Sequence, residues 1–157
     1  MIVVPGPSRD AQALSIVVDI ANVMGARADG WWKDPAAAAL RLCREIAGLA
    51  ARGLTAADLP AGLPEVAGQP EWVLVLEGRA RAAATAWGNV SDPESLTDPQ
   101  PLARLVLAPG SGDDTIVAQA RDLQGCRLVV TADRELRRRC EQVGAMVTGP
   151  RWLLNLL

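Results

Sequence analysis

Three short apolar runs in this chain are each followed by acidic residues. The runs and their acids are 16–18 with Asp19, 105–108 with Asp113 and Asp114, and 128–130 with Asp133. A short run rich in β-branched residues is typical of a strand that is buried on both faces of a parallel sheet. The carboxyl ends of parallel strands share one edge of the sheet, where ligands bind. The pattern therefore predicts that the four aspartates converge at that edge.

Helical segments separate the predicted strands. Asp34 and Pro35 form a helix start, and apolar residues recur at helical spacing from Pro35 to Arg52. The predicted strands are 14–20, 72–76, 103–108, 127–131 and 145–148, and the other predicted helices are 79–87, 113–123 and 134–143, with a turn or helix over 150–157. Strands that alternate with helices imply right-handed crossovers. The predicted fold class is α/β, a three-layer α/β/α sandwich with a mostly parallel, doubly wound sheet of about five strands.

The chain length predicts a single domain over residues 1–157, which is long enough to bury one core and too short for two ordinary domains. Residues 1–12, with two prolines, are expected to form an irregular lead-in, and 25–33 and 54–70 are expected to be loops. Residues 88–101 are rich in turn-forming pairs and predict a mobile surface loop. Neither a signal peptide nor an apolar run of roughly 18 residues stands out, so a soluble, cytoplasmic protein without membrane contact is expected.

Composition limits the chemistry that this chain can perform. It contains no histidine and no tyrosine, which excludes Ser-His-Asp and Cys-His sites and histidine-ligated zinc. Catalysis must therefore use carboxylates, arginines, hydroxyls or bound ions. The net charge is −2, so a polyanion must be held by a local patch or through a metal ion. The cysteines, Cys43, Cys126 and Cys140, are widely spaced and are expected to be reduced thiols in the core.

Several carboxylates at one edge of a sheet call for a counterion. Two carboxylates about 4 Å apart repel each other by roughly 4 kcal/mol at an effective dielectric constant near 20. Because the donors are oxygens only, the expected ion is Mg²⁺ or Mn²⁺. A structural interpretation also holds for each motif alone. Ser111 and Asp133 can act as helix N-caps, and acids such as Asp113 in a first turn interact favourably with the positive end of a helix.

Three sequence motifs, in this order, resemble the NYN branch of the PIN-like nucleases. They are Asp-x-x-Asn at Asp19 and Asn22, Gly-Asp-Asp-Thr-Ile-Val-Ala at 112–118, and Val-Val-Thr-Ala-Asp-Arg-Glu-Leu at 129–136. The similarity covers about 120 residues, from the first predicted strand to the last motif. The resemblance implies a PIN-like fold and a metal-dependent ribonuclease, with single-stranded or structured RNA as substrate and Mg²⁺ or Mn²⁺ as cofactor.

The resemblance also implies roles for individual residues. Four residues match the family's metal-binding and catalytic acids: Asp19, Asp113, Asp114 and Asp133. Asn22 matches a polar residue that accompanies these acids in the family, and it is a candidate for substrate binding. Many members of the family use a further glutamate. Glu77, at a predicted strand end, is the candidate for this metal ligand, and Glu45, within a predicted helix, is the alternative.

Cationic and aromatic residues complete the predicted site. Arg134 and Arg79 lie close in sequence to the acids and are candidates to bind the scissile phosphate. Residues 137–139 are also arginines, and they are expected on a solvated helix face. Trp31 and Trp32 could stack on unpaired bases, and packing against the core is an equal alternative.

Two other functions stay open at this point. A metal-dependent phosphohydrolase that acts on DNA or nucleotides would use the same acids. A non-catalytic module that binds RNA or a protein would keep the acids only as helix caps. The sequence also leaves two kinds of partner open. The chain could form a homodimer, or it could bind a protein partner such as an antitoxin.

Overall fold

All strands in the described part of the chain run in the same direction. The computed structural model describes residue 6 and residues 8–88 and 103–157. Its strands are β1 (Leu14–Asp19), β2 (Glu71–Leu76), β3 (Ala103–Leu107), β4 (Cys126–Val130) and β5 (Met146–Thr148). They lie in the order β3-β2-β1-β4-β5, and every neighbouring pair is parallel. The strand order changes direction beside β1, so the carboxyl ends of β1 and β4 flank the switch point where such sheets bind ligands.

Helices cover both faces of this sheet. The α-helices are α1 (Ile20–Gly25), α2 (Pro35–Arg52), α3 (Ala83–Gly88), α4 (Gly112–Asp122), α5 (Arg134–Gln142) and α6 (Pro150–Leu154). Short 3₁₀ helices lie at Trp31–Lys33, Ala56–Asp58 and Gly78–Ala82. Together the elements form a parallel α/β/α sandwich, which confirms the fold class predicted from the sequence.

Alternate residues of the strands fill two separate cores. On one face, Ile16 and Val18 of β1 pack in a cluster that includes buried residues of α1, α2 and α6. On the other face, Val17 packs in a cluster with Ile116 of α4 and Leu136 of α5. All five side chains are fully buried. Because both faces of β1 are covered, the strand meets solvent only at its ends, and its last residue is placed at the switch point.

The first helix corrects one sequence prediction. The sequence predicts a strand over 14–20 and then a loop, but the strand ends at Asp19 and α1 begins at Ile20. Ile20, Val23 and Met24 are buried at helical spacing. Their apolar side chains continue the run of the strand without a break, so the sequence pattern hides the boundary.

The other loops agree with the prediction where they are described. The 54–70 segment is a connection with one short 3₁₀ turn, and Gln12, at the end of the predicted lead-in, pairs with Val66 in a parallel β-bridge. The loop predicted over 88–101 falls, apart from residue 88, outside the described residues. The cysteines are buried and free, as expected. Within the described ranges, no helix has the length and apolarity needed to cross a membrane.

Arg127 of β4 forms hydrogen bonds with the carboxyl ends of both α4 and α5. Its guanidinium donates to the backbone carbonyls of Ala120, Gly125 and Val143 at 2.8, 2.9 and 2.7 Å. Ala120 and Val143 lie at the carboxyl ends of α4 and α5, where helix carbonyls lack intrahelical partners. The arginine therefore fixes the two helices whose first residues reach the opposite edge of the sheet.

Candidate active site

Four acids from four different elements meet at the carboxyl edge of the sheet. Asp19 ends β1, Glu77 follows β2, Asp113 lies in the first turn of α4, and Asp133 is the N-cap of α5. Their charges act on one another: Glu77 and Asp113 raise the pKa of Asp19, and Asp133 and Glu77 raise the pKa of Asp113. Residues separated by more than 100 positions in sequence thus form one electrostatic group.

Asp19 is the buried member of this group. Its side chain is only 7% exposed. One carboxylate oxygen accepts the backbone N–H of Asn22 at 3.2 Å and the other accepts the hydroxyl of Thr131 at 3.0 Å. Burial is the largest influence and raises the pKa of Asp19 to about 6, while these two hydrogen bonds act in the opposite direction. The fold therefore holds this carboxylate in a fixed orientation where its ionised form is unfavourable.

Thr131 and Asn22 join the ends of β1 and β4 across the switch point. Thr131 is fully buried, and its hydroxyl oxygen also accepts the backbone N–H of Asp133 at 3.2 Å. The side-chain oxygen of Asn22 accepts the backbone N–H of Ala132 at 2.8 Å. The sequence analysis assigned no role to Thr131. Its position between a buried strand and an acid was the signal that could have identified it.

Glu77 connects the edge to α4. Its carboxylate accepts the backbone N–H of Gly112. A Cβ atom at Gly112 would lie 2.8 Å from Glu77 Oε2, so any larger residue there would displace the Glu77 carboxylate. Glu45, the alternative glutamate, instead lies on α2 and forms an ion pair with Arg27 at 2.6 Å. The structure thus places Glu77, and not Glu45, beside the aspartates.

The adjacent acids of α4 lie in different environments. Asp113 is half-buried, and burial is the first of several influences that raise its pKa, whereas Arg139 lowers it. The Asp114 side chain is 80% exposed and accepts a hydrogen bond from Arg139 Nη2 at 2.8 Å. This ion pair gives Arg139, which was expected on a solvated helix face, a carboxylate partner at the surface. The structure brings Asp113 into the acidic group and leaves Asp114 at its rim.

The predicted phosphate-binding and stacking residues lie at the surface. Arg79, in the 3₁₀ helix after β2, and Arg134, the first residue of α5, are both exposed. Trp31 is half-buried and packs against the first core, while Trp32 is 59% exposed. The two indole rings meet edge to face, with their centroids 6.1 Å apart. Trp31 is therefore explained by packing against the core, whereas the indole ring of Trp32 is exposed to solvent.

The chemistry of the acidic group fits a hard divalent cation. In the ranges that the structure describes, no group of three or more Asp, Glu, Cys or His side chains lies close enough together to hold a metal ion. Mg²⁺ does not require such a group, because it commonly binds one or two carboxylates and retains several water ligands. Such an ion would reduce the repulsion between the charges of Asp19 and Asp113. The residues present therefore fit Mg²⁺ or Mn²⁺.

Replacing Thr131 with Val should weaken both the fold and the site. Val has a similar shape but cannot donate to Asp19 or accept from Asp133. Loss of both bonds should lower the free energy of unfolding by about 1–3 kcal/mol and any activity of the site by about 10–100-fold. Urea unfolding and the assay below measure these effects. The same exchange at Thr148, whose side chain forms no hydrogen bond among the described residues, is the control. Equal behaviour of the two variants would contradict the role of Thr131.

Comparison with known proteins supports the fold. No family model and no curated protein matches this chain. Among solved structures, the chain is similar to the crystal structure of a point mutant of Rae1 (YacP) from Bacillus subtilis, with a TM-score of 0.57 and 15% sequence identity. The similarity covers 91% of this chain and 73% of the other. At this identity the likeness shows the fold alone, which in this chain is the parallel α/β/α sandwich described above.

Proposed function

We propose that this chain is a metal-dependent endoribonuclease that hydrolyses RNA phosphodiester bonds at the carboxyl edge of its sheet. Asp19 and Asp113 would hold Mg²⁺ or Mn²⁺ there, with Glu77 and Asp133 beside them. The observation that carries the proposal is Asp19: a buried carboxylate with a raised pKa, fixed by two hydrogen bonds and near enough to Glu77 and Asp113 to feel their charges. Such an arrangement lowers stability and is typical of functional sites.

The residues of the chain provide orientation and charge. Thr131 and Asn22 hold Asp19 in position, so that its carboxylate needs no rearrangement when a phosphodiester arrives. When bound, a divalent ion supplies Lewis-acid chemistry and neutralises charge on the reacting phosphate. Arg134 and Arg79, which are exposed beside the acids, would bind phosphate oxygens. This chemistry requires no histidine, in agreement with the composition.

RNA is preferred over DNA and nucleotides because of the three motifs that resemble the PIN-like nucleases. The shared fold with Rae1 supports the same architecture and does not by itself give a substrate. The first test is therefore cleavage of end-labelled single-stranded RNA, single-stranded DNA and a nucleoside triphosphate, each with Mg²⁺, with Mn²⁺ and with EDTA. We expect internal cuts in RNA that EDTA abolishes. Cleavage of DNA or the triphosphate alone would favour a different phosphohydrolase.

Mn²⁺ should stabilise the folded chain, because an ion that binds only the native state stabilises it by mass action. At a concentration about 100 times the dissociation constant, the gain is about 2.7 kcal/mol, or roughly 5–10 °C in melting temperature. Differential scanning calorimetry at pH 8 measures this shift. Glu45→Gln, which lies away from the edge, should show the full shift. An unchanged melting temperature in saturating Mn²⁺ would favour a non-catalytic module in which the acids serve only as helix caps.

A further inference from the structure

A groove next to the acidic edge lies between α1, the segment that follows β4 and the start of α6. Its volume is about 510 Å³. The groove is lined by the small residues Ala21, Gly25, Ala26 and Ala132. Asn22 and Arg151 contribute its polar side chains. This volume lies in the range of about 300–1,000 Å³ that is typical of small-ligand sites.

The groove is continuous with the candidate active site. Asn22, which lines the groove, donates its backbone N–H to Asp19, and Ala132, which also lines it, is the neighbour of Asp133. The side-chain oxygen of Asn22 is already occupied by the N–H of Ala132. Among the described residues the side-chain nitrogen of Asn22, Nδ2, donates no hydrogen bond, so it is available as a donor for a ligand in the groove. The lining of the groove therefore touches Asp19 through Asn22 and adjoins Asp133 through Ala132.

Arg151 gives the groove a positive charge. It is exposed, and among the residues that the structure describes, its guanidinium donates no hydrogen bond and forms no ion pair. Arg27, which follows α1, has its charge balanced by Glu45 at 2.6 Å. The acidic edge repels a polyanion, and the net charge of −2 offers no general attraction. With no partner among the described residues, the Arg151 guanidinium offers a positive charge and several N–H donors to a backbone phosphate.

We propose that this groove holds the single-stranded RNA next to the cleaved bond, with Arg151 bound to a backbone phosphate and the Asn22 amide donating to the same strand. The inference rests on the proposed function, since it names the path of that substrate. Arg151 is then a binding residue that positions the scissile bond. It lies in α6, after β5 in the sequence, and is therefore outside the three motifs. Loss of Arg151 should raise KM much more than it lowers kcat.

Binding of a fluorescent single-stranded RNA to the Asp19→Asn protein in Mg²⁺ tests this inference without cleavage. Adding Arg151→Ala should weaken binding about tenfold and reduce the salt dependence by one phosphate contact, a slope change of about 0.7 for a single strand. Arg44→Ala removes the same charge from an exposed position on α2 and should change binding by less than about twofold.

Gly25→Leu provides a second, steric test of the groove. A Cβ atom at Gly25 meets no atom within 4 Å, and its φ angle is not positive, so a larger side chain fits without strain and fills the groove. It should weaken RNA binding about tenfold with little change in melting temperature, whereas Gly48→Leu on α2 should bind like the parent.

The outcomes separate this inference from the proposed function. Parent-like binding by both Arg151→Ala and Gly25→Leu would overturn the groove as the RNA path, while cleavage of RNA by the unmodified chain would still support the nuclease. If the Asp19→Asn parent binds no single-stranded RNA, the groove inference is wrong. The cleavage assay with the unmodified chain then decides the proposed function by itself.

Discussion

Asp19→Asn should abolish RNA cleavage and, at the same time, make the metal-free protein more stable. Loss of a charged ligand that contributes several kcal/mol to the reaction corresponds to at least about a thousandfold loss of rate. The stability gain follows from burial, which raises the pKa of Asp19 from its ordinary value of 3.8 to about 6. With a pKa of about 6, ionising Asp19 in the folded state costs about 3 kcal/mol. Asn has the same shape and carries no charge.

The stability gain should depend on pH in a defined way. The folded pKa of Asp19 lies above the unfolded value, so the native state binds the extra proton between pH 4 and pH 6. The contribution of Asp19 to stability is therefore lost as the pH rises through this range. The difference between Asp19→Asn and the unmodified chain should be near zero below about pH 4 and reach its full size above about pH 6.

Urea unfolding in EDTA at pH 4, 5, 6 and 8 measures this difference directly. Asp122→Asn, at the exposed end of α4, removes a charge that is paired with Arg121 away from the acidic group, and it should not gain stability as the pH rises. An Asp19→Asn protein that cleaves RNA at the normal rate would remove the nuclease proposal. One that is less stable than the unmodified chain at pH 8 would show that the carboxylate is not held at an energetic cost.

Asp113→Asn and Asp114→Asn should differ sharply although the two residues are neighbours in sequence. Asp113 is half-buried and lies within reach of the charges of Asp19, Glu77 and Asp133. Its replacement should lower RNA cleavage at least about a hundredfold. The Asp114 side chain is 80% exposed and paired with Arg139, so its replacement should lower cleavage by less than about tenfold.

Single-turnover cleavage at saturating Mg²⁺ compares the two variants, and the Mn²⁺ shift in melting temperature gives a readout that does not need activity. Asp114→Asn is the matched control, because it makes the same chemical change one residue away in the same helix. If the two variants lose activity equally, Asp114 enters the site in the active state. If only Asp114→Asn is inactive, the assignment of Asp113 is wrong.

Much of the fold was predictable because a parallel sheet leaves a strong pattern. Buried strands require continuous apolar runs, and caps such as Asp34 before Pro35 mark helix starts. The boundary at Asp19 was not predictable in this way, because the apolar run of β1 passes directly into α1. Tertiary packing, and not local preference, decides where that strand ends. Arg127 was also missed, since the carbonyls that it binds come together only in the folded chain.

The candidate site was predictable as a set of acids but not as an arrangement. The rule that carboxyl ends of parallel strands share an edge was enough to bring Asp19, Asp113 and Asp133 together. It could not separate Asp113 from Asp114, because that difference depends on the rotation of α4 and on Arg139 from another helix. Nor could it identify Thr131, whose importance comes from a hydrogen bond between residues 112 positions apart.

Anomalous diffraction from crystals soaked in Mn²⁺ at pH 8 is the most direct measurement of whether the acidic edge is a metal site. We expect a peak within ligand distance of Asp19 and Asp113, with Glu77 and Asp133 close to it and Asp114 outside it. The peak should be lost in Asp19→Asn crystals. A fully soaked crystal of the unmodified chain with no manganese at this edge would contradict the proposed metal-dependent nuclease.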